Sequence, residues 1–267
     1  MYKYGFIGAG NMGSALLKAV CTAVGPNNVA VFDKNEDKAK EVANSLGCAF
    51  CDTDKIASEA QFIYLGVKPQ VIRSVLGEIA PTLRTRKDEF TLVTMAAGVK
   101  IEAIYEALGF VCPVIRIMPN TPVAEGEGMI LYSVGEKVST EKENEFCKGL
   151  KKAGRLSKLN EALIDAGTAV SGCGPAFVYM FCEAMADAGV ECGLTREQAI
   201  IYAAQTISGA AKLMLTTGKH PGVLKDEVCS PGGSTICGVH SLENSGFRGA
   251  VIDAVKASFD KTKGLGK

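Results

Sequence analysis

The chain has 267 residues, 47% hydrophobic and 22% charged, enough for one large or two medium domains with a buried core. That composition excludes a disordered chain. Lys and Arg number 29, as do Asp and Glu, so no net charge draws the chain to nucleic acid or to an anionic membrane.

The N-terminal "MYKYGFIGAG" runs straight into an apolar strand, without the basic and long apolar regions of a secretory leader. "NMGSALLKAVCTAV" follows with Met12, Leu16, Ala19, Val20 and Ala23 at helical spacing. "NVAVFD" reads as a second strand and "DKAKEVANSLG" as a helix ending at Gly47. "QFIYLGV", "FTLVTMA" and "PVIRIMP" are three more apolar runs with helical segments between them, as in a parallel sheet buried on both faces. "GMILYSVG" predicts a further strand and "EKENEFCKGLKKAG" an exposed helix.

After about residue 160 the pattern becomes helical throughout. "PAFVYMFCEAMADAGVECG" is mostly apolar, and "TREQAIIYAAQTISGAAKLMLTTG" opens with a Thr195-to-Gln198 capping box. A short helix is expected over "GVLKDEV", another after "SPGGST", and a last one over "FRGAVIDAVKASFDKTKG". Their apolar residues fall on more than one face, which suits burial against a second chain as well as within this one. No run approaches 18 uninterrupted apolar residues, so no membrane-spanning helix is expected. The expected organisation is an α/β fold: a Rossmann-type, mostly parallel sheet over residues 1–160 and an all-helical domain over 161–267.

Ten scattered cysteines predict free thiols in a reducing cytoplasm. The one C-x-x-C, Cys48 to Cys51, lies in a strand-like run, where that spacing sends the side chains to opposite faces. No second ligand pair accompanies it, and His220 and His240 are distant in sequence, so no metal site is expected.

"GAGNMG" carries Gly8, Gly10 and Gly13 as G-x-G-x-x-G between a strand and a helix, with Asp33 twenty positions past Gly13 at the next strand's end. That context reads as a dinucleotide site. Gly8 permits the turn, Gly10 lets a pyrophosphate approach the backbone, and Gly13 lets the helix pack closely. The helix N-terminus offers N–H groups and partial positive charge. The competing reading is an ordinary strand–helix turn. Asp33 suits a ribose 2′-hydroxyl, whereas Lys34, Asn35 and Lys38 suit a 2′-phosphate, so the residues leave NAD against NADP open.

"GVKPQV" with Lys68-Pro69 and "MAAGV" with Gly98 end two strands, where ligands of open parallel sheets lie. Small residues there admit a flat ring, although Pro69 also suits the first position of a helix. In "RIMPNTPV" two prolines either aim Asn120 into the cleft or form a rigid turn. "SPGGST" interrupts a helical region: Pro231 stops one helix, and Gly232 and Gly233 clear side chains from the start of the next. Ser234 or Thr235 there either caps a helix or serves a ligand. Glu161 and Asp165 suit the start of a helix, and His220 and His240 suit surface or packing positions.

Taken together, "GFIGAGNMG", "GVKPQ", "AAGV", "RIMPNTP", "SGCGPAF" and above all "SPGGSTICGVHSLENSGFRGAVIDAVKAS" resemble pyrroline-5-carboxylate reductases, from residue 4 to about 260. The resemblance implies reduction of 1-pyrroline-5-carboxylate to L-proline by NAD(P)H, with NADP(H) ahead of NAD(H). It implies a Rossmann domain followed by a helical substrate and dimerisation domain, forming a homodimer, with rings of dimers in some members. It places cofactor contacts at Ile7, Gly8, Ala9, Gly10, Asn11 and Met12; at Asp33, Lys34 and Asn35; at Gly66, Val67, Lys68 and Pro69; and at Met95, Ala96 and Ala97. Substrate contacts fall at Gly232, Gly233, Ser234 and Thr235, with Glu161 contributing and Thr235 as the catalytic hydrogen-bonding group. The rival enzyme, a β-hydroxyacid dehydrogenase, needs a lysine early in the helical domain, and none lies between Lys158 and Lys212. A non-enzymatic nicotinamide-binding regulator is the rival from another class; the intact "SPGGST" argues against it.

Overall fold

A computed structural model describes residues 1–263. The apolar runs become strands and the periodic segments helices, in the order β1 (Tyr2–Ile7), α1 (Asn11–Val24), β2 (Val29–Phe32), α2 (Glu36–Leu46), β3 (Ala49–Phe50), α3 (Thr53–Glu59) and β4 (Ala60–Leu65). There follow α4 (Pro69–Thr85), β5 (Thr91–Thr94), α5 (Ile101–Leu108), β6 (Val114–Met118), β7 (Gly128–Val134), α6 (Thr140–Gly149) and β8 (Gly154–Lys158). Helices complete the chain: α7 (Ile164–Ser171), α8 (Gly174–Glu191), α9 (Arg196–Thr217), α10 (Pro221–Glu227), α11 (Ser234–Asn244) and α12 (Phe247–Lys263).

The eight strands form one sheet in the order β3-β2-β1-β4-β5-β6-β7-β8. Every pairing is parallel except β6 with β7. The first six strands follow the doubly wound dinucleotide-binding order, whose direction reverses between β1 and β4. On one face Leu16, Leu17 and Val20 of α1 pack with Phe146 of α6; on the other, Ile56, Ile72, Leu76 and Ile104 come from α3, α4 and α5. This buried apolar surface supplies the main driving force for the unit.

Three local expectations change. Helix α6 is not exposed throughout, because Phe146 is buried and tilts against Tyr132 across 5.4 Å. The strand near the C-x-x-C has only two residues, with Cys48 before it and Cys51 after it, the latter donating to the Tyr2 hydroxyl at 3.3 Å. Strand β8 was not foreseen; the positive φ of Gly154 lets it lie against the Gly128 backbone, where a Cβ would come within 2.1 Å.

The described residues divide into two compact units, residues 1–173 with 258–263, and residues 174–257. That division comes later than the change of pattern at 160, because α7 stays with the sheet unit. Its Asp165 pairs with Arg116 of β6, and its Ser171 carbonyl accepts from Asn120 at 2.9 Å. In the second unit Ala186 and Ala199 make the close approach of α8 to α9, and Ala203 is the third buried residue. Tyr179, Met180, Ile201 and Leu215 are exposed. Within the stretch Glu161–Glu191 one 18-residue window reaches a mean hydropathy of 1.2, long and apolar enough by length and composition alone to cross a membrane.

Candidate functional site

The glycine loop is shaped by close backbone approaches. Gly8 has φ +110°, and a Cβ there would lie 2.5 Å from the Gly66 carbonyl oxygen. A Cβ on Gly13 would meet the Gly8 oxygen at 2.3 Å. Gly10 is different: nothing lies within 4 Å of the place its Cβ would take. Gly10 is also the N-cap of α1, without a side-chain cap or an acidic residue in the first turn. The free N–H groups of that turn therefore face open space, as an incoming phosphate requires.

Gly10, Asn11, Met12 and Gly13 share a cleft of about 530 Å³ with Gly66, Val67, Lys68 and Met95. Its remaining wall is Met118 and Pro119, at the end of β6. The sequence pattern at that strand end left Asn120 either aimed into the cleft or in a rigid turn. The structure favours the rigid turn: Asn120 Nδ2 donates to the Ser171 carbonyl, and its Oδ1 accepts from Met129 N–H at 2.8 Å. Ile7 and Ala9 are buried, so they offer main chain only. Pro69 begins α4. Ala96 is buried and Ala97 half-buried, just beyond Met95.

The Asp33 carboxylate is already engaged. Oδ2 accepts from Ala9 N–H at 2.6 Å and Oδ1 from Asn35 N–H at 2.9 Å. Asn35 in turn caps α2, its Oδ1 accepting from Lys38 N–H at 3.1 Å. Lys34 is exposed beside them. This cluster does not line the 530 Å³ cleft.

Glu161 lies in a short 3-10 turn, Glu161–Leu163, away from that cleft. Its Oε1 accepts from Ile101 N–H at 2.8 Å and from Arg116 at 3.3 Å. It faces a second opening of about 560 Å³ with Asp165, Lys100 and Thr262.

In the second unit, Ser230 to Gly233 form a turn before α11, whose first two residues are Ser234 and Thr235. Gly232 has φ +70° with nothing near its missing Cβ, whereas a Cβ on Gly233 would meet Ser230 Oγ at 2.4 Å. Gly233 is the N-cap, and no side chain caps the helix. The capping role for Ser234 or Thr235 is thus absent, and both residues are exposed with the first-turn N–H groups beside them. His220 accepts from Gly222 N–H as the N-cap of α10, and His240 bonds to Asn244 within α11.

Comparison with known proteins agrees with both halves. Residues 161–265 match the family model described as pyrroline-5-carboxylate reductase dimerisation, and residues 3–98 match one described as NADP oxidoreductase, coenzyme F420-dependent. The pyrroline-5-carboxylate reductase of Escherichia coli (strain K12) is 40% identical over 268 residues, covering 99% of this chain and 98% of that one. The structure of a Coxiella burnetii pyrroline-5-carboxylate reductase superposes with a TM-score of 0.92 at 30% identity, covering 100% and 99% of the two chains. That of a Plasmodium falciparum pyrroline carboxylate reductase with NADP bound gives 0.87 at 32% identity, covering 100% and 98%. With likeness spanning the glycine loop, the sheet and the helices that follow, the chain belongs to the pyrroline-5-carboxylate reductase family.

Proposed function

We propose that this chain reduces the C=N bond of 1-pyrroline-5-carboxylate with NAD(P)H, giving L-proline. The observation that carries this reading is the likeness to pyrroline-5-carboxylate reductases over nearly the entire chain. The reduced nicotinamide, when bound, supplies a hydride to the ring carbon of the C=N bond. The substrate nitrogen enters protonated and leaves as the secondary amine of the product.

The protein's own groups bind, orient and exclude water. The free N–H groups after Gly10 hold the pyrophosphate, and Gly10 leaves it room. Gly66 to Pro69 and Met95 to Ala97 bound the remainder of the nucleotide. NADP(H) is the favoured form, with NAD(H) as the alternative. Both Asp33 oxygens already accept main-chain N–H groups, while exposed Lys34 offers a cation to a 2′-phosphate. NADP bound to the Plasmodium relative supports this choice.

Residues Gly232 to Thr235 bind the substrate. Its carboxylate takes the N–H groups opening α11, where a helix N-terminus favours an anion. Thr235 Oγ1 accepts a hydrogen bond from the N–H of the protonated imine. An imine already activated by protonation asks little more than positioning, so no acid–base dyad is required.

We divide the chain functionally at 160, with dinucleotide binding before it and substrate binding and dimerisation after it; the family model beginning at Glu161 supports this division. The exposed apolar faces of the second unit are covered by a second copy rather than by lipid, in a cytoplasmic homodimer that assembles further into rings. Sedimentation across a concentration series reads both steps, and sedimentation as a monomer throughout removes the assembly.

The deciding assay follows absorbance of NADPH and NADH, separately, with 1-pyrroline-5-carboxylate. A rapid substrate-dependent loss is expected, faster with NADPH. No loss from folded protein that binds either nucleotide would reinstate the hydroxyacid dehydrogenase or regulator reading.

A further inference from the structure

Arg116 lies within β6 with 1% of its surface exposed. A guanidinium in a sheet interior is unfavourable unless its donors are used. Nη1 donates to Glu161 Oε1 at 3.3 Å and Nη2 to Asp165 Oδ1 at 3.0 Å. None of the three residues lines the cleft at Gly10. Their arrangement therefore needs a reason other than direct contact with the nucleotide.

The sheet register pairs Arg116 with Thr94, the last residue of β5. Met95, Ala96 and Ala97 follow at once. Thr94 Oγ1 accepts from Ala96 N–H at 3.4 Å, and the Ala96 carbonyl from Val99 N–H at 3.2 Å. Gly98 turns the chain with φ +75°. The loop ends at Ile101, whose N–H donates to the same Glu161 oxygen that Arg116 holds. Arg116 thus borders the start of the loop through the sheet and reaches its end through Glu161. Asp165 takes the other arm of the guanidinium and fixes its plane, which a lysine could not reproduce.

We propose that Arg116 is a positioning residue for the reaction: through Glu161 it holds the Met95–Ala97 segment in the geometry that the nicotinamide ring needs. The proposal rests on the cofactor assignment above. Glu161 then acts on the nucleotide through the main chain of Ile101, beyond any contact with substrate. A segment tied at both ends is preorganised and spends no binding energy on ordering.

The test compares full-length wild type with Arg116→Lys, Glu161→Ala and Glu161→Gln. The first readout needs NADPH alone: the emission of bound NADPH, which rises as the reduced ring is immobilised away from water. Sites per chain, Kd and Tm are measured beside it. The expected result is that Arg116→Lys and Glu161→Ala still bind NADPH, but with emission per bound molecule falling toward the free value. Their kcat with 1-pyrroline-5-carboxylate falls about 10²-fold, the scale of a small misplacement of reacting groups. Glu161→Gln, which keeps an acceptor for Ile101, recovers most of both losses.

Three results overturn the proposal. One is wild-type emission and kcat per folded site in both disrupting variants. Another is a fall only in Tm and site number, as for a purely structural ion pair. The third is a rise only in KM for the pyrroline in Glu161→Ala, which would mean direct substrate contact. Should Arg116→Lys fail to fold, the Glu161 pair decides, since that side chain is 27% exposed. A wild type that binds NADPH yet turns over no pyrroline removes the function assignment and leaves the emission comparison standing.

Discussion

Residues 1–173 bury strands on both faces of one sheet, with Phe6, Leu16, Phe62 and Leu76 fully enclosed. Residues 174–257 enclose only Ala186, Ala199 and Ala203, and leave Tyr179, Met180, Ile201, Leu215 and Ile252 exposed. The first unit has a core of its own. The second has apolar side chains in plenty but too few inside to hold five helices together, so it must borrow a surface. Gly8 and Gly13 of the first unit's glycine loop are hemmed in by backbone, whereas Gly10 of that loop and Gly232 before α11 face open space.

The largest expected effect separates chemistry from stability. Thr235→Ala should lower kcat/KM for 1-pyrroline-5-carboxylate by roughly 10²–10⁴-fold, as loss of a proton-handling group does. Tm should stay at the wild-type value, because Thr235 is exposed and caps nothing. Turnover at the wild-type rate would end its assigned role.

Gly8→Ala should cost about 2–5 kcal/mol, from a left-handed residue plus overpacking against Gly66. Thermal unfolding and NADPH binding should both suffer, and an unchanged Tm would contradict the close approach. Leu215→Glu tests the borrowed surface. If Leu215 is central to the dimer, the charge should cost roughly 2–4 kcal/mol of association. Sedimentation should then show monomers at concentrations where the wild type is dimeric, with NADPH binding by the first unit retained.

Alkaline pH should expose the first unit's core. Burial, with a smaller contribution from Glu145, pushes the Tyr4 phenol up to about 12 from 10.0, and burial pushes the Cys112 thiol up to about 12 from 9.0. A raised folded pKa means that this stability is fully present below the unfolded value and is lost as pH climbs through the folded one. For Cys112 the window runs from about 9 to 12, for Tyr4 from about 10 to 12. Each contributes a slope of about 1.4 kcal/mol per pH unit there. Tyr4→Phe should flatten the Tm decline above pH 10; an identical decline would show that Tyr4 does not ionise on unfolding. The smallest effect is Gly232→Ala, about 1–2 kcal/mol, since only its φ opposes a side chain.

Much of this was readable in advance where the cause is local. The glycine loop, the apolar strands, the Thr195 capping box and the helix break at Pro231 to Gly233 all depend on neighbours a few residues away. Asn120 was not readable. Its partners, Met129 and Ser171, lie 9 and 51 residues along the chain, and a polar residue between prolines looks the same whether it serves a cleft or a turn. Met118 and Pro119 were passed over for the same reason: their place in the cleft depends on which strand β6 lies beside. Arg116 carried no signal, because its carboxylates are 45 and 49 residues away.

The sequence by itself determined the class of fold, the glycine loop and the family, because propensity, periodicity and contiguous motifs act over short spans of chain. Only the tertiary structure decided that Asp33 is bound to the glycine loop, that Asn120 is a rigid turn, and that Arg116 is tied to Glu161 and Asp165. Those outcomes depend on which distant groups come within hydrogen-bond reach once the sheet is ordered. A buried polar group must then take whichever partner the packing brings.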